Sequence, residues 1–116
     1  MTPLPLRLFK GTFDVLILRT LSWGPAHGYA ISRWIRQSSG DDLRIEEGAL
    51  YPALRRLEER GLVASTWRTT DTGREARVYQ LTAAGTKAMH SEVTEWKRYV
   101  EAFSRVLAAR PTEGLV

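Results

Sequence analysis

The sequence has no cysteine and only two histidines, His27 and His90. Without cysteine there is no disulfide framework and no thiolate to act as nucleophile or ligand. The two histidines fall in different helical segments and form no H-x-x-x-H pair, so neither zinc-ligand nor catalytic spacing is present. His27 reads instead as a residue at the start of a helix. The acidic pairs Asp41-Asp42 and Glu46-Glu47 sit in a link and a first turn, where carboxylates are ordinarily solvated. The expectation is a chain with no cofactor, no metal and no catalytic residues, and so not an enzyme. Long apolar runs are also missing: nothing approaches the roughly 20 residues that a membrane span needs. The first residues, MTPLPLRLFKGTF, carry two prolines and no long apolar run before their charges, unlike a secretory signal. A cytoplasmic protein without a membrane partner is expected. Blocks of like charge are absent as well. Residues 1–45 hold six basic and three acidic side chains, residues 46–80 six of each, and residues 81–116 five and four. The net charge of +4 therefore hints at a polyanionic partner, but folding must gather the basic groups onto one face.

What is present is enough for about one domain: 116 residues, 43% hydrophobic and 26% charged, the usual mixture for a globular chain with a modest core. Residues 1–8, with Pro3 and Pro5, read as a flexible arm. In GTFDVLILRTLSWG, residues Phe13, Leu16, Ile17 and Leu21 recur at helical spacing, and Val15 and Leu18 widen the apolar sector. Gly24-Pro25 ends that helix. So wide a sector predicts burial from two sides, the second side being another subunit. HGYAISRWIRQSSG predicts a second helix with Ile31, Trp34 and Ile35 on one face. Asp41–Ile45 is a short extended link. VASTWRT (63–69) and ARVYQL (76–81) are rich in strand-forming residues and flank the turn-forming TDTGRE, which predicts a β-hairpin. Thr82 is placed to cap a last helix over TAAGTKAMHSEVTEWKRYVEAFSRVL, with Gly85 in its first turn. Residues 109–116 read as a frayed tail.

The segment EEGALYPALRRLEERGLV contains a proline where a helix is expected. Leu50, Leu54 and Leu57 define one helical face, and Gly61 suits the left-handed position just past the end. If the helix starts at Gly48 or Ala49, Pro52 closes the first turn, where several N–H groups lack partners anyway. The opposite face then presents Glu47, Tyr51 and Arg55 beside the rigid proline ring. A helix end of this kind suits a major groove: arginine pairs with guanine edges and an apolar ring meets a thymine methyl. Three helices followed by one hairpin predict the winged form of the helix-turn-helix, within domain 9–82. The class is mainly α with a small β-hairpin, followed by a long helix over 83–108.

On that last helix Met89, Val93, Trp96, Val100, Phe103 and Leu107 are spaced four, three, four, three, four, which is a heptad seam. The alternative is a seam packed only on the chain's own first helix. A dimerisation helix, aided by Phe13 and Ile17 of the first helix, is the expectation, and a two-fold dimer suits a palindromic DNA site. Two Trp96 rings facing across the dimer axis suggest a sandwich for a small flat aromatic ligand.

The run Gly48, Leu50, Tyr51, Pro52, Leu54, Leu57, Glu58, Gly61 resembles the recognition-helix motif of the PadR family of bacterial transcriptional regulators. The agreement extends to Gly11, Leu16, Ile17 and Leu18, to His27-Gly28-Tyr29, and to Tyr79-x-Leu81-Thr82-x-x-Gly85, covering roughly residues 9–107. The single terminal helix resembles the short-tailed branch of that family. The resemblance implies a winged-helix homodimer that represses transcription, often with a small-molecule inducer. It implies that Tyr29, Glu47, Ala49, Tyr51, Pro52 and Arg55 face double-stranded DNA. By position, Arg74 and Arg77 of the wing, with Arg68 less central, become the phosphate contacts. A winged helix that binds protein without DNA is the alternative, since fold does not fix function.

Overall fold

The computed structural model describes residues 11–116, so the arm expected over residues 1–8 lies outside the described residues. In chain order the elements are α1 (Thr12–Leu21), β1 (Ala26–His27), α2 (Gly28–Ser38), α3 (Glu47–Glu59), β2 (Val63–Thr69), β3 (Glu75–Leu81) and α4 (Ala83–Ala108). The expected helices and hairpin are all present. The sheet has one strand more than expected: β1 pairs with β3 through Ala26–Tyr79 and His27–Val78, giving the antiparallel order β1-β3-β2. Two residues are too short a run to show strand periodicity, which is why the sequence conceals this strand.

The core lies where α1 meets α2, α3, β3 and the start of α4. Ile17, Leu18, Ile31, Leu50, Leu54 and Leu57 are fully buried there. The breadth of the apolar sector on α1 is thus used by the chain's own elements. Ile17, expected at a subunit interface, is 0% exposed and has no surface left for a partner. Met89, also expected on the dimer seam, is closed off in the same way, because the first turns of α4 run along α1. Trp34 departs in the other direction: Ile31 and Ile35 are buried, but Trp34 is 40% exposed. Ile45, in the link before α3, joins the core.

α3 starts at Glu47, a residue or two earlier than expected, so Pro52 lies in its second turn. Residue 52 would there donate to the Gly48 carbonyl, and the proline removes that one bond. The helix ends as expected. Gly61 has φ 73°, the Leu62 N–H donates to the Leu57 carbonyl at 3.0 Å, and the Gly61 N–H donates to the Glu58 carbonyl at 2.9 Å. This is the paired bonding of a Schellman stop.

The same two residues hold the next joint. The Thr82 hydroxyl donates to the Gly61 carbonyl at 2.7 Å and accepts from the Gly85 N–H at 3.0 Å, while the Thr82 N–H donates to the Leu62 carbonyl at 3.1 Å. Gly85 lies so close to the Leu62 carbonyl that a β-carbon there would run into it. Glycine is required by this close approach of backbones, beyond its tolerance in a first helical turn. Past Met89 and Val93, α4 runs on beyond the core. The radius of gyration is 17.4 Å, against about 13 Å for a compact chain of this length.

Replacing Gly85 by alanine is expected to lower the unfolding free energy by about 1–3 kcal/mol, the usual cost of overpacking against a fixed neighbour. Thermal melts followed by circular dichroism check this, with Ala84→Ser, on the exposed side of the same turn, expected to change little.

Candidate nucleic-acid interface

The outer face of α3 is built by the burial of its inner one. Leu50, Ala53, Leu54 and Leu57 face the core, which turns Glu47, Tyr51, Pro52 and Arg55 outward; Tyr51 is 45% exposed. Ala49 is partly packed against the core, so less of it is open than its place in the motif suggests. Tyr29, the second residue of α2, is 69% exposed. It shares an open groove of about 610 Å³ with Gly28, Tyr51, Trp67, Arg77 and Tyr79. Gly28 lets this groove form: a β-carbon there would stand 2.9 Å from the Tyr51 ring. The motif residues His27-Gly28-Tyr29 and Tyr51 are therefore one surface, with the start of α2 laid against α3.

The wing forms the other wall. In the β2–β3 register Trp67 pairs with Arg77 and Ser65 with Tyr79, which puts these four on one face of the sheet. Trp67 is 65% exposed. Arg77, expected to contact phosphate, is largely committed within the chain. Its Nε donates to the Ser65 hydroxyl at 2.8 Å, its Nη2 lies 3.6 Å from the Glu58 carboxylate, and its guanidinium sits 5.8 Å from the Trp67 ring centre. It ties the wing to α3. Arg68 pairs with Ala76 and so lies on the other face of the sheet. Arg74 stands exposed at the wing's turn, where its carbonyl accepts from the Thr70 N–H at 2.7 Å. Its side chain makes no ion pair among the described residues.

At the base of the groove, burial pushes the Tyr79 phenol above its usual 10.0. The nearby Arg77 charge opposes that shift, and Glu58 adds to it. Trp67, Gly28 and Tyr79 were not read from the sequence as parts of this surface. Trp67 carries a signal in retrospect, since strand alternation puts it on the same face as Val63 and Ser65, one step outside the core.

The second expected surface is on α4. Of its seam, Val93 packs against the core and Trp96 is partly exposed, while Val100, Phe103 and Leu107 are open. Phe13 is partly buried against the core. Tyr99 and Val106, outside the seam, are equally open. The Trp96 and Tyr99 rings meet edge to face at 5.7 Å, and Tyr99 stacks on Phe103 at 5.8 Å. These are the three- and four-residue neighbours of a helix surface, and they widen the seam into a stripe. Among the described residues no helix is long and apolar enough to cross a membrane.

A helix pair with an exposed third helix and a flanking wing defines a winged helix-turn-helix protein. Residues 17–91 match the Transcriptional regulator PadR-like family, and the chain belongs to that family. It is 42% identical over 73 residues to a transcriptional regulator of Mycobacterium tuberculosis, a match covering 62% of this chain and 64% of that one. It is 40% identical over 85 residues to a 37.1 kDa protein carried by a transposon of Streptomyces fradiae, covering 73% of this chain and 23% of the relative. The chain thus spans less than two thirds of each of these relatives. The crystal structure of a PadR family transcriptional regulator from Eggerthella lenta superposes with a TM-score of 0.72 at 29% identity, covering 87% of this chain and 86% of that one.

The raised Tyr79 pKa means that folding favours the neutral phenol. Its contribution to stability is fully present below pH 10 and is lost as the pH rises through the folded-state value. Tyr79→Phe is expected to flatten the alkaline limb of stability above pH 10, measured by urea unfolding at a series of pH values.

Proposed function

We propose that the chain is a sequence-specific DNA-binding repressor that acts as a homodimer on a palindromic operator. The observation that carries this reading is the outer face of α3. Tyr51, Pro52 and Arg55 stand free of the core beside the wing and Tyr29, an arrangement suited to a helix end in a major groove with the wing on the flanking backbone. Glu47 in the first turn favours the helix dipole and is available to accept from a cytosine amino group. Arg74 at the wing tip supplies a phosphate contact. The repressing direction follows the family.

The homodimer is supported by the stripe on α4. Trp96, Tyr99, Val100, Phe103, Val106 and Leu107 would each gain about 1.5–3 kcal/mol if fully buried, and so large an apolar stripe marks an interaction surface. A second copy meets it with the same residues across a two-fold axis, with Phe13 at the margin. Two Trp96 rings brought close to that axis would hold a small flat aromatic molecule, and we assign release from DNA to a ligand of that class.

Fluorescence anisotropy against the native upstream promoter fragment and a scrambled control, at two salt concentrations, tests the DNA reading. Tighter, salt-sensitive binding to the native fragment is expected. Tyr51→Ala and Arg55→Ala should each cost about 1–3 kcal/mol on the native fragment and little on the control, while Arg74→Ala weakens both. Equal losses on both fragments for Tyr51→Ala would remove it from the base-reading set.

The dimer is tested separately. Phe103→Glu is expected to convert a dimer into a helical monomer in sedimentation equilibrium. A wild-type chain that sediments as a monomer at micromolar concentration would overturn the assembly.

A further inference from the structure

Arginines fall into two groups. Arg36 pairs with Asp41 at 3.0 Å, Arg56 and Arg60 with Asp14 at 3.4 and 3.7 Å, Arg60 also with Glu92 at 3.9 Å, and Arg77 with Glu58 at 3.6 Å. Arg33 on α2 and Arg44 in the link before α3 make no ion pair or side-chain hydrogen bond among the described residues, and both are exposed. They line one depression of about 230 Å³ with Tyr29, Ser32, Arg36, Ile45 and Glu46. Tyr29 lines this depression and also the groove that holds Tyr51 and Trp67. It is the shared wall between the α3–wing surface and the two free arginines.

We infer that Arg33 and Arg44 form a phosphate clamp that continues the DNA contact past Tyr29 and onto the outer side of α2. This rests on the DNA-binding reading and deepens it, since neither arginine belongs to the recognition-helix motif or to the wing. Two guanidiniums beside one concavity match the fork geometry by which arginine holds a phosphate. Arg36 shares the concavity, but its charge is met by Asp41. Glu46 opposes the clamp with one carboxylate against two free guanidiniums, which limits binding to phosphate without the rest of the surface engaged. A clamp on phosphate carries no sequence information, so its contribution is equal on all duplexes.

The test compares wild type, Arg33→Ala/Arg44→Ala and Arg33→Lys/Arg44→Lys on the native promoter fragment and on the scrambled duplex over a salt series. Each lost phosphate contact lowers the slope of log affinity against log salt by about 0.9. The double alanine variant is therefore expected to lose about one in slope per protomer, for the one phosphate the clamp holds, on both duplexes alike. The double lysine variant should keep most of the slope, and Glu46→Gln should tighten binding to both. Arg110→Ala, beyond the end of α4, serves as a control for bulk charge and should leave the slope unchanged. Both clamp side chains are exposed, and circular dichroism should show an unaltered fold. An unchanged slope in the double alanine variant, with wild type bound to DNA, overturns the clamp alone. A loss confined to the native fragment also overturns it, because the arginines would then be reading bases. No salt-sensitive binding of wild type to any duplex overturns the DNA reading and the clamp together.

Discussion

The contact on which the rest of the structure depends is the approach of the Gly85 backbone to the Leu62 carbonyl. Leu62 donates a closing bond of α3, begins the run into β2 and accepts from the N–H of Thr82. Thr82 closes β3 and caps α4, while bonding back to Gly61. The end of α3, the root of the wing and the start of the long helix are thus one hydrogen-bonded joint with no room for a side chain. Each bond in it contributes only about 0.5–1.5 kcal/mol net. Their combined effect is geometric, fixing the direction in which α4 leaves the domain. The ion pairs from Asp14 through Arg60 to Glu92 link α1, the end of α3 and α4 alongside this joint, but partly exposed pairs of this kind add little energy. The backbone joint sets the angle, and the ion pairs decorate it.

Folding separates the charges that the composition counts together. With six basic and six acidic residues in 46–80, the segment containing α3 and the wing looks ill suited to a polyanion. Once folded, the ion pairs take up Arg56, Arg60 and Arg77 of this segment but only one of its own acids, Glu58, because Asp14 and Glu92 lie outside it. Arg55 and Arg74 stay exposed on α3 and the wing, and Arg33 and Arg44 add exposed charge from outside the segment. A linear count weighs paired and free charges alike, whereas a partner meets chiefly those left free. Arg77 shows that pairing and exposure coexist: its neighbours Ser65, Glu58 and Trp67 tie the wing to α3, while its side chain stays 47% exposed.

Much of the architecture was legible because it rests on local physics. Periodicity gave the helices, Gly61 gave the end of α3, and strand-forming residues around Gly73 gave the hairpin. What escaped was long-range. A two-residue strand has no pattern of its own, and β1 exists only because β3 offers it an edge. Ile17 and Met89 carry the same apolar signal as residues on an open seam, and only the path of α4 along α1 decides that they are internal. Trp34 sits at helical spacing from Ile31 and is still 40% exposed, because spacing places a residue on a side of a helix without saying where the core ends. The outward set of Glu47, Tyr51, Pro52 and Arg55 was readable by subtraction once the inner face of α3 was known, whereas Tyr29, on α2, came from the family resemblance. The grouping of either with Trp67 was not readable, since that needs the wing's register.

The path of α4 also bears on how a signal at one end of the molecule could reach the other. Its first turns are fastened at Gly85 and Met89, and its outer part carries an apolar stripe that finds no cover among the described residues. A rigid helix anchored at one end turns a small rotation at the joint into a larger displacement at Phe103 and Leu107. Conversely, fixing the outer part against a second copy constrains the joint, and through it the angle between α3 and the wing. The fastening is stiff, because a backbone carbonyl packed against a glycine cannot yield as a side chain does. A ligand seated near Trp96 would therefore act on α3 chiefly by re-aiming α4 as a whole, with little scope for loosening contacts along the way. Any coupling in this fold is bounded by how differently such a ligand binds the two orientations, and in the proposed dimer the quantity most sensitive to it would be the spacing of the two α3 helices.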